Sequence, residues 1–120
     1  MKLAVVGSRK IDNNFVYKYL SENVSDNIKE IVTGGAKGTD SVAMDYAKQN
    51  GIKLTLFLPE YNIYKKGAPL IRNKQIAQYA DFAFIFWNGI SNGTEHIIRC
   101  FEQLSKPYTL IYTRPLWEKS

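Results

Sequence analysis

The chain has 120 residues, 45% apolar and 22% charged, which fits one domain over residues 1–120 and excludes collagen-like and multi-domain arrangements. Sixteen Lys and Arg against eleven Asp and Glu give a formal charge of +5, which favours anionic partners: nucleotides, nucleic acid or an acidic membrane surface. The lone Cys100 excludes a disulfide framework. Met1-Lys2 runs straight into an apolar strand, and no apolar run approaches the roughly 18 residues of a membrane span, so the expectation is a cytoplasmic protein without a membrane partner.

Lys2 to Gly7 reads as a short, nearly continuous apolar strand ending at glycine. Phe15, Val16, Tyr19, Leu20 and Val24 then recur at helical spacing behind Asp12 or Asn13 as N-cap. Glu30 to Thr33 is the next strand and Gly34-Gly35-Ala36-Lys37-Gly38 the next turn. Val42, Ala43, Tyr46 and Ala47 stripe a helix that closes at Asn50-Gly51. Lys53 to Leu58 is a third strand. A helix from about Pro69 to Ala80, a strand from Phe82 to Trp87, a helix from Gly93 to Leu104 and a strand from Tyr108 to Tyr112 complete the alternation.

This alternation implies right-handed crossovers and a parallel sheet covered on both faces. The expected architecture is a three-layer, Rossmann-like α/β fold with five mainly parallel strands in the order 3-2-1-4-5. Ligands in such sheets bind beyond the carboxyl ends of the strands, where the order reverses between the first strand and the fourth.

Three glycine-bearing turns fall on that edge: Gly7-Ser8-Arg9, Gly34-Gly35-Ala36-Lys37-Gly38-Thr39-Asp40, and Trp87-Asn88-Gly89-Ile90-Ser91-Asn92-Gly93-Thr94. Glycine lets the main chain approach a ligand, and free amide groups at a helix start point at an anion, so phosphate is the expected guest. The plain alternative is that these glycines only make short strand-to-helix turns. Neither a Gly-x-Gly-x-x-Gly fingerprint nor a Walker ending is present, which disfavours a dinucleotide dehydrogenase and a P-loop ATPase.

In the helix opening near Pro69, Asn73, Ile76, Ala77 and Ala80 share one stripe, with Leu70 and Arg72 at its margins. A buried guanidinium and amide need partners, either a ligand phosphate or an internal carboxylate such as Asp40 or Glu95. Arg9, Lys10, Lys37, Lys65, Lys66 and Arg72 are expected on one basic rim. In the last helix Ile97, Ile98, Phe101 and Leu104 form the core stripe. Asn92 as N-cap would then put Glu95 in a capping box, and His96 reads as a surface histidine. One Cys and one His make a zinc site improbable, and no metal or cofactor is expected. Asp40 divides between a favourable first-turn charge and a group that binds a ligand hydroxyl. The connection from Pro59 to Pro69 is long and rich in Tyr and Lys, and Tyr61, Tyr64 and Trp87 offer faces for a base or simply pack. Ile71 and the apolar tail Thr113-Arg114-Pro115-Leu116-Trp117 would allow a homodimer.

Taken in order, Gly7-Ser8-Arg9, Gly34 to Asp40, Arg72-Asn73 and Trp87 to Thr94 resemble the SLOG superfamily, closest to its small bacterial YspA-type members. The resemblance spans almost the whole chain. The superfamily includes the DNA-processing protein A group, which binds single-stranded DNA, and the Lonely Guy phosphoribohydrolases, which release a base from a nucleoside monophosphate. It implies ligand contacts at Gly7, Ser8, Arg9, Gly34, Gly35, Gly38, Asp40, Arg72, Asn73, Ser91, Gly93 and Thr94, to which the turns add Lys37, Thr39 and Trp87. The expected function is binding or sensing of a nucleotide or nucleotide-derived ligand. An N-glycosidic hydrolase is one alternative, with Glu95, Asp40 and Arg72 as catalytic candidates, and single-stranded DNA binding is another. The phosphoribohydrolase signature has Pro-Gly-Gly before its Gly-Thr and a glutamate three residues after the Thr. This chain has Ile97 there, and Glu95 is displaced by roughly 200° around the helix.

Overall fold

The computed structural model of the chain describes residues 1–113. Six secondary elements lead up to the middle of the chain: β1 (Lys2–Gly7), α1 (Asn13–Asn23), β2 (Glu30–Thr33), α2 (Thr39–Gln49), β3 (Lys53–Leu56) and the short α3 (Tyr61–Tyr64). A 3-10 turn, Lys65–Gly67, leads into α4 (Ala68–Tyr79), followed by β4 (Phe82–Trp87), α5 (Asn92–Gln103) and β5 (Tyr108–Tyr112). The strands form one parallel sheet in the order β3-β2-β1-β4-β5, the expected Rossmann-like arrangement.

Alternation along β1 creates the layers. Leu3 and Val5 face a cluster with Val16 and Leu20 of α1 and Val42, Ala43 and Ala47 of α2; Ala4 and Val6 face Ile76 and Ala77 of α4 and Ile97 and Phe101 of α5. Each fully buried Leu, Ile or Phe contributes roughly 1.5–3 kcal/mol of transfer free energy. The α1 face carries an edge-to-face aromatic group in which Tyr19 lies 5.4 Å from both Phe84 and Phe86. On the other face, Lys106 Nζ donates to the carbonyls of Ala77, Gln78 and Ala80 at 2.6–2.8 Å, closing the C-terminal end of α4 with a cation.

The buried Glu30 is held within the sheet. Its carboxylate accepts from Tyr79 Oη at 2.5 Å and Thr55 Oγ1 at 2.7 Å, with Lys53 at 3.6 Å. Burial pushes its pKa up, but the two hydroxyls, Lys53 and Lys2 together bring it below the usual carboxylate value.

Several local expectations are corrected. The third strand ends at Leu56 rather than Leu58, and the Pro59–Pro69 connection folds into α3 and the 3-10 turn. Of the two N-cap candidates for α1, Asp12 is the one used, its carboxylate accepting from the amides of Asn14 and Phe15. Ser91, not Asn92, caps α5: its hydroxyl accepts from Thr94 N, and Glu95 instead pairs with Arg99 at 2.6 Å. Cys100, not Leu104, completes the buried stripe of α5: the helix ends at Gln103, and Leu104, on the same face by helical period, is the cap residue beyond it and is exposed. Ile71 is half-buried, and residues 114–117 of the tail lie outside the described residues. Among the described residues no helix is long and apolar enough to cross a membrane.

Candidate functional site

A cleft of about 440 Å³ opens beyond the carboxyl ends of β1 and β4, where the strand order reverses. Val6, Gly7, Arg9 and Lys10 reach it from β1 and the turn after it. Ala36 and Asp40 come from the β2–α2 turn, Pro69, Leu70, Arg72, Asn73 and Ile76 from α4, and Asn88, Ile90, Ser91, Gly93, Thr94 and Ile97 from the β4–α5 turn and α5.

The β2–α2 turn is closed by its own carboxylate. Asp40 Oδ2 accepts from the amides of Gly34 at 3.2 Å and Ala36 at 3.3 Å, and the Thr33 hydroxyl is buried close to the carboxylate. Burial raises the Asp40 pKa above the usual aspartate value, against the opposing pull of the Ala36 amide, Arg72, the Gly34 amide and Thr33. Gly38 has φ +75°, and a Cβ there would sit 2.3 Å from the Arg9 carbonyl oxygen, so the turn can only be made with glycine.

The β4–α5 turn is organised differently. Asn88 Oδ1 accepts from the amides of Ile90 and Ser91, and the Ser91 hydroxyl accepts from Thr94 N, which leaves the amides of Asn92 and Gly93 without an acceptor among the described residues. Ser8 ties this turn to the others from beneath. Its hydroxyl accepts from Asn88 N at 3.1 Å and lies 3.3 Å from Thr94 Oγ1, and its carbonyl accepts from both the amide and the hydroxyl of Thr39.

Arg72 enters the cleft half-buried. Its Nη1 donates to the Gly34 carbonyl at 2.8 Å and its Nε to Asn73 Oδ1 at 3.1 Å. Burial holds its pKa below the usual guanidinium range. Asp40 and Tyr61 oppose that shift, and the positive charge of Arg9 adds to it. Both guanidiniums line the same cleft, Arg9 exposed and Arg72 half-buried. Neither forms an ion pair, the pairs among the described residues being Lys53–Glu30 and Arg99–Glu95.

The structure thus brings Gly7, Arg9, Asp40, Arg72, Asn73, Ser91, Gly93 and Thr94 together around one cleft. It does not bring the others into the lining. Ser8 is buried below it, and Gly34, Gly35, Lys37, Gly38 and Thr39 build the adjoining turn, with Lys37, Lys65 and Lys66 exposed. Trp87 spends its Nε1 donor on the Ser91 carbonyl, and neither it nor Tyr61 lines the cleft. Glu95 is turned to Arg99. His96 is half-buried rather than a free surface histidine, with Nδ1 3.1 Å from Asn73 Nδ2. Sequence reasoning passed over Asn88 as a site residue; its position directly after the strand at the switch point was the signal that could have found it. No group of His, Cys, Asp and Glu among the described residues could hold a metal ion.

Solved structures with this arrangement include DNA processing protein A from Helicobacter pylori, described for its single-stranded DNA binding mode. It is 21% identical with a TM-score of 0.72 over 95% of this chain and 66% of that one. DNA processing protein A from Streptococcus pneumoniae matches at 18% identity and a TM-score of 0.59 over 90% of this chain and 58% of that one. At these identities the likeness is one of fold, and the chain spans less than two thirds of either protein. No curated protein matches the chain in sequence. The family model described as YspA, cpYpsA-related SLOG family matches residues 1–64, the half that contains the Gly7-Ser8-Arg9 and Gly34 to Asp40 turns. With both its first two turns and its sheet order in agreement, the chain belongs to the YspA, cpYpsA-related SLOG family.

Proposed function

We propose that the cleft binds the phosphate of a nucleotide or nucleotide-derived small molecule, and that the protein acts as a sensor or binding module. The observation that carries this reading is the convergence of Arg9 and Arg72, neither ion-paired among the described residues, on a cleft at the switch point of the sheet. Asp40 offsets part of the charge on Arg72, and the exposed Arg9 adds a second cation to the same cleft, so the pair of guanidiniums favours an anionic guest. The open amides of Asn92 and Gly93 add the positive end of α5. Leu70, Ile76, Ile90 and Ile97 supply an apolar wall for the remainder of the ligand.

Thermal melting against AMP, cyclic nucleotides, ADP-ribose, NAD and short oligodeoxynucleotides at two salt concentrations tests the proposal. Ligand at about a hundred times its dissociation constant stabilises by roughly 2.7 kcal/mol, a rise of several degrees for a domain of this size. The expected result is a salt-tolerant rise with one class of mononucleotide, lost in Arg72→Ala; no rise with any small ligand would overturn it.

Single-stranded DNA binding is the second reading, favoured by the fold shared with the Helicobacter pylori protein. It predicts affinity that grows with oligonucleotide length and falls steeply with salt. A hydrolytic reading would rest on Asp40 alone, because Glu95 is held by Arg99 outside the cleft, and Asp40 Oδ2 is already committed to two amides.

A further inference from the structure

Asn73 is 7% exposed and sits between the cleft and a histidine that does not reach it. Its side-chain amide is fully used: Oδ1 accepts from Arg72 Nε at 3.1 Å, and Nδ2 faces the Gly93 carbonyl at 3.4 Å and His96 Nδ1 at 3.1 Å. Two of these three partners have only one possible role. A guanidinium Nε–H can only donate and a carbonyl can only accept, so both fix the same orientation of the amide. Nδ2, a donor, must then face His96, and Nδ1 has to be an acceptor. The imidazole is therefore neutral, with its proton on Nε2.

We propose that His96 is a positioning residue: as a neutral acceptor it locks Asn73, and through Asn73 it holds the Arg72 guanidinium in its anion-binding pose. The inference rests on the anion-binding reading of the cleft. Protonation of His96 would place an N–H against the Asn73 NH2 group, and the amide would have to abandon His96 or turn and abandon Arg72 and Gly93. The charged groups that act on the ring are Lys74 from α4 and Arg99 on its own helix, both cationic, and the Cys100 thiol lies 3.8 Å from Nδ1. Burial first, then these two cations, lower the His96 pKa from its ordinary value and keep it neutral near pH 7.

The consequence runs against general electrostatics. Acidification makes the protein more positive and protonates Asp40 beside Arg72, and both changes favour anion binding. A loss of anion affinity on acidification therefore identifies the His96 relay. Inorganic sulfate is a suitable probe because its charge is constant over the range used.

The test has two arms on the full chain. In the first, the nitrogen chemical shifts of the imidazole are followed with pH by NMR, unambiguously because the chain has one histidine. The expected result is an Nε2–H tautomer titrating below its ordinary value, and in Asn73→Asp a titration moved above it, since a carboxylate would accept from a protonated ring. An Nδ1–H tautomer, or no movement in Asn73→Asp, would overturn the proposal. In the second arm, sulfate affinity is expected to fall severalfold as pH drops through the range in which the first arm shows the ring protonating, and to hold or rise over the same range in His96→Gln, whose side-chain oxygen still accepts from Asn73. An equal pH profile in His96→Gln would overturn it. Absence of sulfate binding at every pH would overturn the anion-binding reading of the cleft and with it the role assigned to His96, while the NMR arm still decides the hydrogen-bond relay itself.

Discussion

The two turns that flank the cleft, Gly34 to Thr39 and Asn88 to Thr94, carry the same kind of sequence and differ in what occupies their amide groups. In the first, the Asp40 carboxylate takes the Gly34 and Ala36 amides, so the protein supplies its own anion. In the second, Asn88 and Ser91 satisfy the surrounding amides, and those of Asn92 and Gly93 have no acceptor among the described residues, Gly93 lying in the cleft lining. Glycine has opposite uses in the two places. At Gly38 a side chain is excluded by the protein, whereas a Cβ at Gly93 would meet nothing within 4 Å. A glycine-rich turn at the end of a strand is thus an anion site only when the chain leaves it unfilled.

The largest effects should come from the closed turn. Gly38→Ala combines a positive φ with a clash against the Arg9 carbonyl and is expected to lower stability by about 3 kcal/mol in urea unfolding. A loss under about 1 kcal/mol would mean that the turn is not rigid. Asp40→Ala removes the acceptor of two amides and should lose about 2 kcal/mol, with inorganic sulfate restoring part of it by entering the emptied turn. If sulfate stabilises this variant no more than the parent chain, the turn is not an anion site in waiting, and the contrast drawn between the turns collapses.

The order of the strands, their parallel sense and the edge on which the cleft opens were legible because the apolar runs and the glycine punctuation are both local signals. The residues in the cleft lining were legible wherever a motif ended a strand, as at Gly7, Arg9, Asp40 and Gly93. What was not legible is how polar groups share one another. Nothing local distinguishes a carboxylate that folds back on its own turn, as Asp40 does, from one that faces a ligand. The choice of Ser91 over Asn92 as N-cap depends on Asn88 holding the Ser91 amide three residues on. His96 was misread for the same reason, since its partner Asn73 is 23 residues away on a neighbouring helix.

Gly93→Ala sharpens the comparison from the open side. The added methyl enters empty space at a helix start, so stability should change by less than about 0.5 kcal/mol. If the α5 start holds the anion as proposed, anion affinity should fall about tenfold, because the methyl is added to a residue of the cleft lining. Unchanged melting with unchanged sulfate affinity would remove the α5 start from the site.

The smallest effect concerns two carboxylates that burial treats in opposite ways. Glu30 has a folded pKa below its unfolded value, so its contribution is present above the unfolded pKa and is lost as pH falls through the folded one. Asp40 has a folded pKa above its unfolded value, so the folded state binds its proton more readily and gains relative stability as pH falls through that raised pKa. The signs are therefore reversed in the variants. Glu30→Gln should be most destabilised relative to the parent near pH 7, with the gap closing toward pH 3. Asp40→Asn should show its smallest deficit near pH 7, where the parent carries the cost of a buried charge, and its largest near pH 3. Urea midpoints measured across that range check both slopes. Parallel slopes would mean that Asp40 is compensated by Arg72 and the turn amides as fully as Glu30 is by Tyr79 and Thr55, and the closed turn would then be a satisfied anion site rather than a strained one.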